Sequence, residues 1–286
     1  PSRRAPGCRD MAKSRMFSKS VKFLLIAFFA ITVFLPLAAM FSKVKLSAIG
    51  GILKNPQFGK TVLNSLSVTL AATVLSVLIA YLLALAVNRS RIPCKRLITI
   101  LATLPMLIPS ISHGLGLTNL FGYNGLFTKL LGVESGLYGF TGILLGSILY
   151  SFPVAFLMLS DAMKYVDATP YEAAEVLGVP PVNRFFTVTM YYMKRPLVSA
   201  VFAVFTMVFT DYGVPLAVGG RFMTLPVYLY TEVIGLLNFS KGAFIGFILL
   251  LPAVITFLLD LRKKESEGLG FATKRLHVKK NRLRDT

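Results

Sequence analysis

The sequence is poor in the residues that carry covalent and metal chemistry. Its 286 residues include two cysteines, Cys8 and Cys94, and two histidines, His113 and His277. Neither cysteine stands at metal-ligand spacing, so no metal site is expected and both cysteines read as reduced and structural. Nowhere do a nucleophile, a base and an acid gather, which argues against a membrane-embedded enzyme. Charge is scarce as well. Charged residues make up 15% of the chain and hydrophobic ones 55%, with mean hydropathy +0.69. A soluble domain carries about 25% charged residues, so a soluble globular class is excluded. Acids are the scarcest, with 12 Asp and Glu against 31 Lys and Arg and a net charge of +19. Such an excess can signal nucleic acid. Here the basic residues flank apolar runs and form no aromatic-interleaved face, so they read as membrane borders and no nucleic-acid partner is expected.

A nucleotide loop is also lacking. Gly59-Lys60-Thr61 ends like a phosphate-binding loop, but position 54 is Lys where the motif needs Gly, and no strand pattern precedes it. The stretch reads as a turn leading into an apolar run. The chain is thus expected to bind no ATP or other cofactor of its own.

What is present is length of apolar sequence. Six runs approach the roughly 20 residues a spanning helix needs: 23–41, 66–87, 97–120, 140–158, 197–218 and 243–261. They predict an all-α integral membrane protein with six transmembrane helices. The segment 1–22 precedes the transmembrane domain 23–261, and a basic tail, 262–286, comes after it. The first run has the basic flank of a signal peptide but is too long for one and reads as an anchor. Residues 1–10 differ in character from the rest of the chain and Met11 would be a natural start, so they are set aside. The stretch 225–237, interrupted by Glu232, reads as a partly buried helix at the outer surface. Lys and Arg number 24 in the segments on one side of these runs and 7 on the other. The positive-inside bias therefore predicts both termini and the loop 161–196 in the cytoplasm, and a tail attracted to anionic lipid.

Polar residues inside such runs are candidates for function, since a mid-bilayer charge costs roughly 2.5–3.5 kcal/mol. Asp211, in Thr210-Asp211-Tyr212-Gly213-Val214-Pro215, lies ~21 Å up the fifth run from Leu197. Two roles are open to it: lining a translocation path or gate, where it would meet a cationic group, or ending a helix beside water. With Thr210 and Tyr212 it forms one candidate path group. His113, after Ser110 and Ser112, forms another, with helix-packing histidine as its alternative. Tyr150, Ser151 and Pro153 mark an expected break in the fourth run. Gly146 and Ser147 would admit a neighbouring helix.

The loop between the fourth and fifth runs is the most structured polar stretch. Thr169 reads as an N-cap, Pro170 as the first helical residue and Glu172 as its capping-box partner. Ala173, Ala174, Glu175, Val176 and Leu177 continue the helix, Gly178 supplies a left-handed stop, and Pro180 and Pro181 force a turn before a second run, 182–193. Glu172-Ala173-Ala174, then Gly178, Val188 and Met190, resembles the EAA loop of binding-protein-dependent ABC importer permeases. Tyr191 stands where that family has Pro, and Pro196 comes shortly after. Asn64, Ser65 and Thr69 also resemble the opening of the family's membrane core, and the resemblance covers about residues 60–262.

The resemblance implies a MetI-like permease subunit of an ATP-binding-cassette importer in a bacterial inner membrane. Its Glu172, Ala173, Ala174 and Gly178 would shape a coupling helix for separate ATPase subunits that use ATP and Mg, and Arg184 would add a polar contact. A second permease copy or homologous permease, and a periplasmic or lipid-anchored solute-binding protein, would complete the assembly. The stretches 210–215, 219–222 and 230–235 resemble the subgroup for 2-aminoethylphosphonate, iron(III) and polyamine uptake. Asn238-Phe239, Gly242-Ala243 and Leu251-Pro252-Ala253 lean toward the phosphonate. The competing class is an ATP-independent secondary transporter or channel, for which neither paired intramembrane charges nor a repeat between halves is visible.

Overall fold

The computed structural model describes residues 8–90, 92–132, 136–167 and 169–264. Among them the regular structure is helical. Two long helices, α1 (Cys8–Ser42) and α3 (Pro56–Arg89), flank a short α2 (Leu46–Leu53). After α4 (Lys95–Thr103), α5 (Ser110–Phe121) and α6 (Leu126–Leu131) comes the long α7 (Phe140–Lys164). The loop helices α8 (Thr169–Val176) and α9 (Pro181–Arg184) lead through a π-helical turn, Phe185–Thr189, into α10 (Met190–Phe209). The described part closes with α11 (Gly213–Val218), α12 (Leu225–Tyr230), a second π turn, Thr231–Gly235, and α13 (Phe239–Lys264).

Five stretches are long and apolar enough to cross a membrane, and a sixth span forms if the bent pair 95–107 and 110–130 counts as one. The six-span, all-α expectation holds, with two changes of shape. The third run is not one helix. It breaks between Leu107 and Ser110 and turns through 101°. Pro109 disfavours helical backbone at the preceding residue, and Ile108 is extended at φ −99°, ψ 134°. The fifth run is also divided: α10 stops at Phe209 and α11 restarts at Gly213. Pro215 lacks an N–H, which would leave a gap inside a continuous helix but none in the first turn of a new one. Conversely, the expected break at Pro153 is absent, since α7 runs through it, and α1 likewise continues through Pro36.

Gly59-Lys60-Thr61 is not a turn either. It lies in the first turns of α3, which Asn55 caps by accepting from the Gln57 N–H at 2.9 Å, with Pro56 in the first position.

The core lies between α3, α7 and α10. In lipid no hydrophobic force separates helix from solvent, so helices associate through close packing and small residues. The inward face of α3 fits that requirement, with Thr61, Ser65, Thr69, Ala72, Ser76, Ala80 and Ala84 buried at helical spacing. Ser76 and Ser151 share a hydrogen bond of 2.9 Å across α3 and α7. The opposite face shows Leu63, Leu70, Val74, Leu78 and Leu82, exposed as a lipid-facing surface would be. Phe156, Leu159, Met193, Ala200 and Val204 fill the centre. A second cluster, Ile52, Phe58, Phe209, Leu225, Tyr228 and Ile245, joins α2, α3, the end of α10, α12 and α13 near the far end from α8. α1 stands apart, its apolar window unburied, with Phe41 against Phe247 as one contact to α13.

Candidate functional site: a capped turn and a locked pair of helix breaks

The loop after α7 is built by local rules. The Asp167 carboxylate accepts from both the Thr169 N–H and the Thr169 hydroxyl at 3.0 Å. Thr169 is therefore the first residue of the helix, one earlier than the sequence suggested, and Asp167, two residues upstream, is the side chain that caps it. At the other end Gly178 sits at φ +68°. The Val179 N–H reaches the Ala174 carbonyl at 3.0 Å and the Gly178 N–H that of Glu175 at 3.1 Å, the paired bonds of a Schellman stop. A Cβ on Gly178 would meet nothing within 4 Å. The glycine is required by its backbone angle, not by space.

Arg184 closes this turn from the inside. Its guanidinium donates to the Val179 carbonyl at 3.2 Å and lies 3.6 Å from the Glu175 carboxylate. From α9 the chain runs helically through the π turn into α10, so Tyr191 falls inside an uninterrupted helix. Ala174 is the buried residue of α8, while Glu172, Ala173, Val176 and Leu177 face outward. Val176 and Leu177 are 88% and 79% exposed and Val182 across the turn 66%. Exposed aliphatic side chains on both arms of a rigid turn form an apolar knob.

Two residues missed in the sequence tie this knob to the bundle. Arg89, the last residue of α3, places its guanidinium 4.7 Å from the Tyr171 ring centre and donates to the Tyr171 hydroxyl at 3.1 Å. That hydroxyl in turn donates to Thr189 Oγ1 at 2.8 Å. One tyrosine of α8 thus touches both α3 and the π turn that opens α10. Arg and Tyr 82 residues apart leave no pairing signal in a single sequence.

Further along the bundle, the two helix breaks meet. Asp211 accepts from Ser110 Oγ at 2.6 Å and from the Val214 N–H at 3.0 Å, with the Gly213 N–H at 3.4 Å. The acid stands half-buried in the link between α10 and α11. It caps α11 and, through the same carboxylate, pins the start of α5, which is why an anion is tolerated there. Gly213 is needed for this approach, since a Cβ would lie 2.5 Å from Ser110 Oγ and 2.6 Å from the Ile111 nitrogen. Gly114 meets α11 as closely, at Ala217 Cβ, and a Cβ on Gly146 of α7 would touch Val214.

The remaining path candidates divide. His113 Nδ1 lies 3.3 Å from the Pro109 carbonyl and its ring 6.3 Å from that of Tyr150. Its Nε2 is buried without a hydrogen-bond partner among the described residues. Tyr150 donates to the Met207 carbonyl of α10 at 3.0 Å. Ser112 is half-buried on the same helix as His113. The Thr210 hydroxyl turns back to the Thr206 carbonyl at 2.8 Å, and Tyr212 leaves the acid to pack on Tyr230, ring centres 4.9 Å apart. Glu232, which interrupts the outer apolar stretch, is 4% exposed, with Lys241 Nζ 3.5 Å from its carboxylate.

A bundle of broken and unbroken spans carrying a rigid polar turn defines a multi-pass membrane protein. The chain belongs to the family of binding-protein-dependent transport system inner membrane components, which it matches over residues 76–261. It is 30% identical over 206 residues to the thiamine transport system permease protein ThiP of Brucella abortus, covering 69% of this chain and 38% of that one. It is also 30% identical over 209 residues to the spermidine/putrescine transport system permease protein PotC homolog of Mycoplasma pneumoniae, covering 71% and 68%. With the ferric transport system permease protein FbpB of Actinobacillus pleuropneumoniae the identity is 27% over 168 residues, covering 56% of this chain and 24% of that one. The chain thus spans about a quarter of the ferric relatives it matches. Its fold is that of a chain in the bacterial alginate ABC transporter, at TM-score 0.71 over 94% of this chain and 12% identity.

Proposed function

We propose that this chain is the permease subunit of an ATP-driven importer, forming the solute pathway while separate ATPase subunits, using ATP and Mg, act on the turn around Gly178. The observation that carries this reading is the build of that turn. Exposed Val176, Leu177 and Val182 face a partner, and the Arg89–Tyr171–Thr189 contacts join the turn to two core helices. A push on α8 is thereby delivered to α3 and α10 together. The basic bias of the loop side supports a cytoplasmic location for it, with both termini on the same side. A second permease, identical or homologous, would complete the pathway, and a solute-binding protein would deliver cargo at the opposite face.

Within the pathway, Asp211 and Ser110 would hold the two broken spans in one arrangement, and their parting would open a gap between α5 and α11. This makes the pair a gate residue set more than a cargo ligand, since the carboxylate is already engaged by three donors. Motifs in 210–253 support 2-aminoethylphosphonate as cargo, then iron(III) or polyamine. The ferric, thiamine and polyamine names of relatives add weight to a cationic cargo without choosing among these.

Affinity purification of the tagged chain from mild detergent tests the assignment, wild type beside the double variant Glu172→Ala, Gly178→Val. An ATPase subunit should accompany the wild type and be lost from the variant. Absence of any ATPase from the wild type would favour an ATP-independent transporter. A co-purified binding protein can then be screened against aminoethylphosphonate, iron(III), polyamines and thiamine.

A further inference from the structure

At the end of the bundle opposite α8, a cleft of about 670 Å³ opens between four segments. Lys60 and Asn64 contribute from adjacent turns of α3, Tyr123 from the end of α5, Tyr138 from before α7, and Arg221 and Phe222 from the link between α11 and α12. Lys60 lies about 44 Å along α3 from Arg89, at 1.5 Å per residue. The walls are fixed. Asn64 Nδ2 donates to the Met223 carbonyl at 3.1 Å, the Gly139 N–H to the Val218 carbonyl at 2.8 Å, and Phe222 packs edge-on to Phe140. Tyr123 and Tyr138 stack with ring centres 4.8 Å apart. The described lining holds two cations and no carboxylate.

We infer that this cleft receives an acidic loop of the solute-binding protein, with Lys60 and Arg221 engaging its carboxylates and the tyrosine pair its apolar portions. The inference rests on the importer reading, and it names where on the outer face the delivery protein is held. Three observations select a protein loop over a free anion. The cleft is several times larger than a single phosphate or phosphonate. Lys60 and Arg221 are exposed, so water and salt screen them against a small ion, while a docking surface would exclude that water. Tyr123, 71% exposed as part of a ring stack, offers the rigid aromatic area that interfaces favour along with Arg.

The position gives docking a consequence. Arg221 lies three residues beyond α11, a helix about 9 Å long, and the Asp211–Ser110 lock stands just before its other end. A loop that draws on Arg221 and Phe222 pulls on the helix that the lock holds.

The test uses the full complex with its ATPase in lipid nanodiscs and, as probe, the binding protein that co-purifies with wild type. Association rate is measured at about 50 mM and 500 mM salt for wild type, for Lys60→Glu with Arg221→Glu, and for the milder Lys60→Gln with Arg221→Gln. The reversal should slow association roughly tenfold or more at low salt, the neutral pair should fall between, and the difference should shrink at high salt. Retention of the ATPase in each purified variant certifies folding. An unchanged association rate in the folded reversal variant overturns the cleft assignment while leaving the importer reading intact. Saturable binding of phosphate or 2-aminoethylphosphonate that the variants lose, with docking unaltered, would overturn it in favour of a solute site. If wild type retains no ATPase, it is the importer reading that fails.

Discussion

Placing valine at Gly178 separates backbone conformation from side-chain space at the docking turn. Nothing lies within 4 Å of the added Cβ, so no clash arises, and the whole cost comes from φ +68°. Holding an L residue in that region costs roughly 1–2 kcal/mol, with a β-branched side chain at the upper end or beyond. Leaving it disrupts the two bonds from Gly178 and Val179 to the Glu175 and Ala174 carbonyls. A penalty of one to two kcal/mol depletes the docking-competent turn by a factor of about 5–30. Asparagine tolerates left-handed backbone and alanine does so less well, so the damage should rise in the order Asn, Ala, Val. The assay is solute taken up per ATP hydrolysed in proteoliposomes holding the purified complex, with protein insertion checked by yield from the membrane. Valine should cut this ratio several-fold without loss of inserted protein. Normal coupling in Gly178→Val, or equal damage from asparagine and valine, would refute the reasoning.

Other substitutions probe the remaining contacts. Tyr171→Phe keeps the ring over Arg89 but removes two hydrogen bonds, at about 1 kcal/mol each or less. Arg89→Ala removes one of those bonds and the cation–π contact, the latter worth roughly 0.5–2 kcal/mol, but leaves Tyr171 bonded to Thr189. The two variants should therefore lower uptake per ATP by similar amounts, and Tyr171→Ala, which removes all three contacts, should lower it further than either. Asp211→Ala strips the α11 cap and the Ser110 partner and should lower thermal stability by roughly 1–2 kcal/mol, read by the unfolding midpoint in detergent. Asp211→Asn retains an acceptor for Val214 and should lose less. Gly213→Ala forces a Cβ against Ser110 and Ile111; that overpacking, worth about 1–3 kcal/mol, should loosen the junction of α5 and α11 and raise solute leak without ATP.

Features written in local punctuation were legible in the sequence. Gly178 stops α8 because glycine readily adopts left-handed backbone, and Pro180 and Pro181 then set the turn; both effects are decided by neighbours in the chain. The six apolar runs were visible for the same reason. Their interiors were less so. Pro109 and Pro215 stood in plain view, yet whether a proline kinks, breaks or merely sits in a membrane helix depends on what can satisfy the freed backbone. Pro153 lies within continuous α7, whereas Asp211 and Ser110 stabilise true breaks beside the other two. Asp167 displaced Thr169 as the cap because an acid two residues upstream could reach both of its donors. Contacts between distant segments were silent: Arg89 with Tyr171, and Asn64 with Met223. Even Glu232 with Lys241, nine residues apart, was hidden because the chain turns at Leu237 between the π turn that holds Glu232 and α13, so helical spacing does not relate them.

The claim that the Gly178 turn is the ATPase docking surface is tested most directly by cross-linking. A single cysteine is placed at Leu177, with Cys8 and the exposed Cys94 changed to serine, and a matching cysteine at Tyr123 on the far end serves as control. In membranes holding the complete assembly, Leu177→Cys should cross-link to the ATPase subunit, in a yield that changes on ATP addition, and Tyr123→Cys should not. A cross-link to the ATPase from Tyr123→Cys, or none from Leu177→Cys while the complex remains assembled, would contradict the assignment.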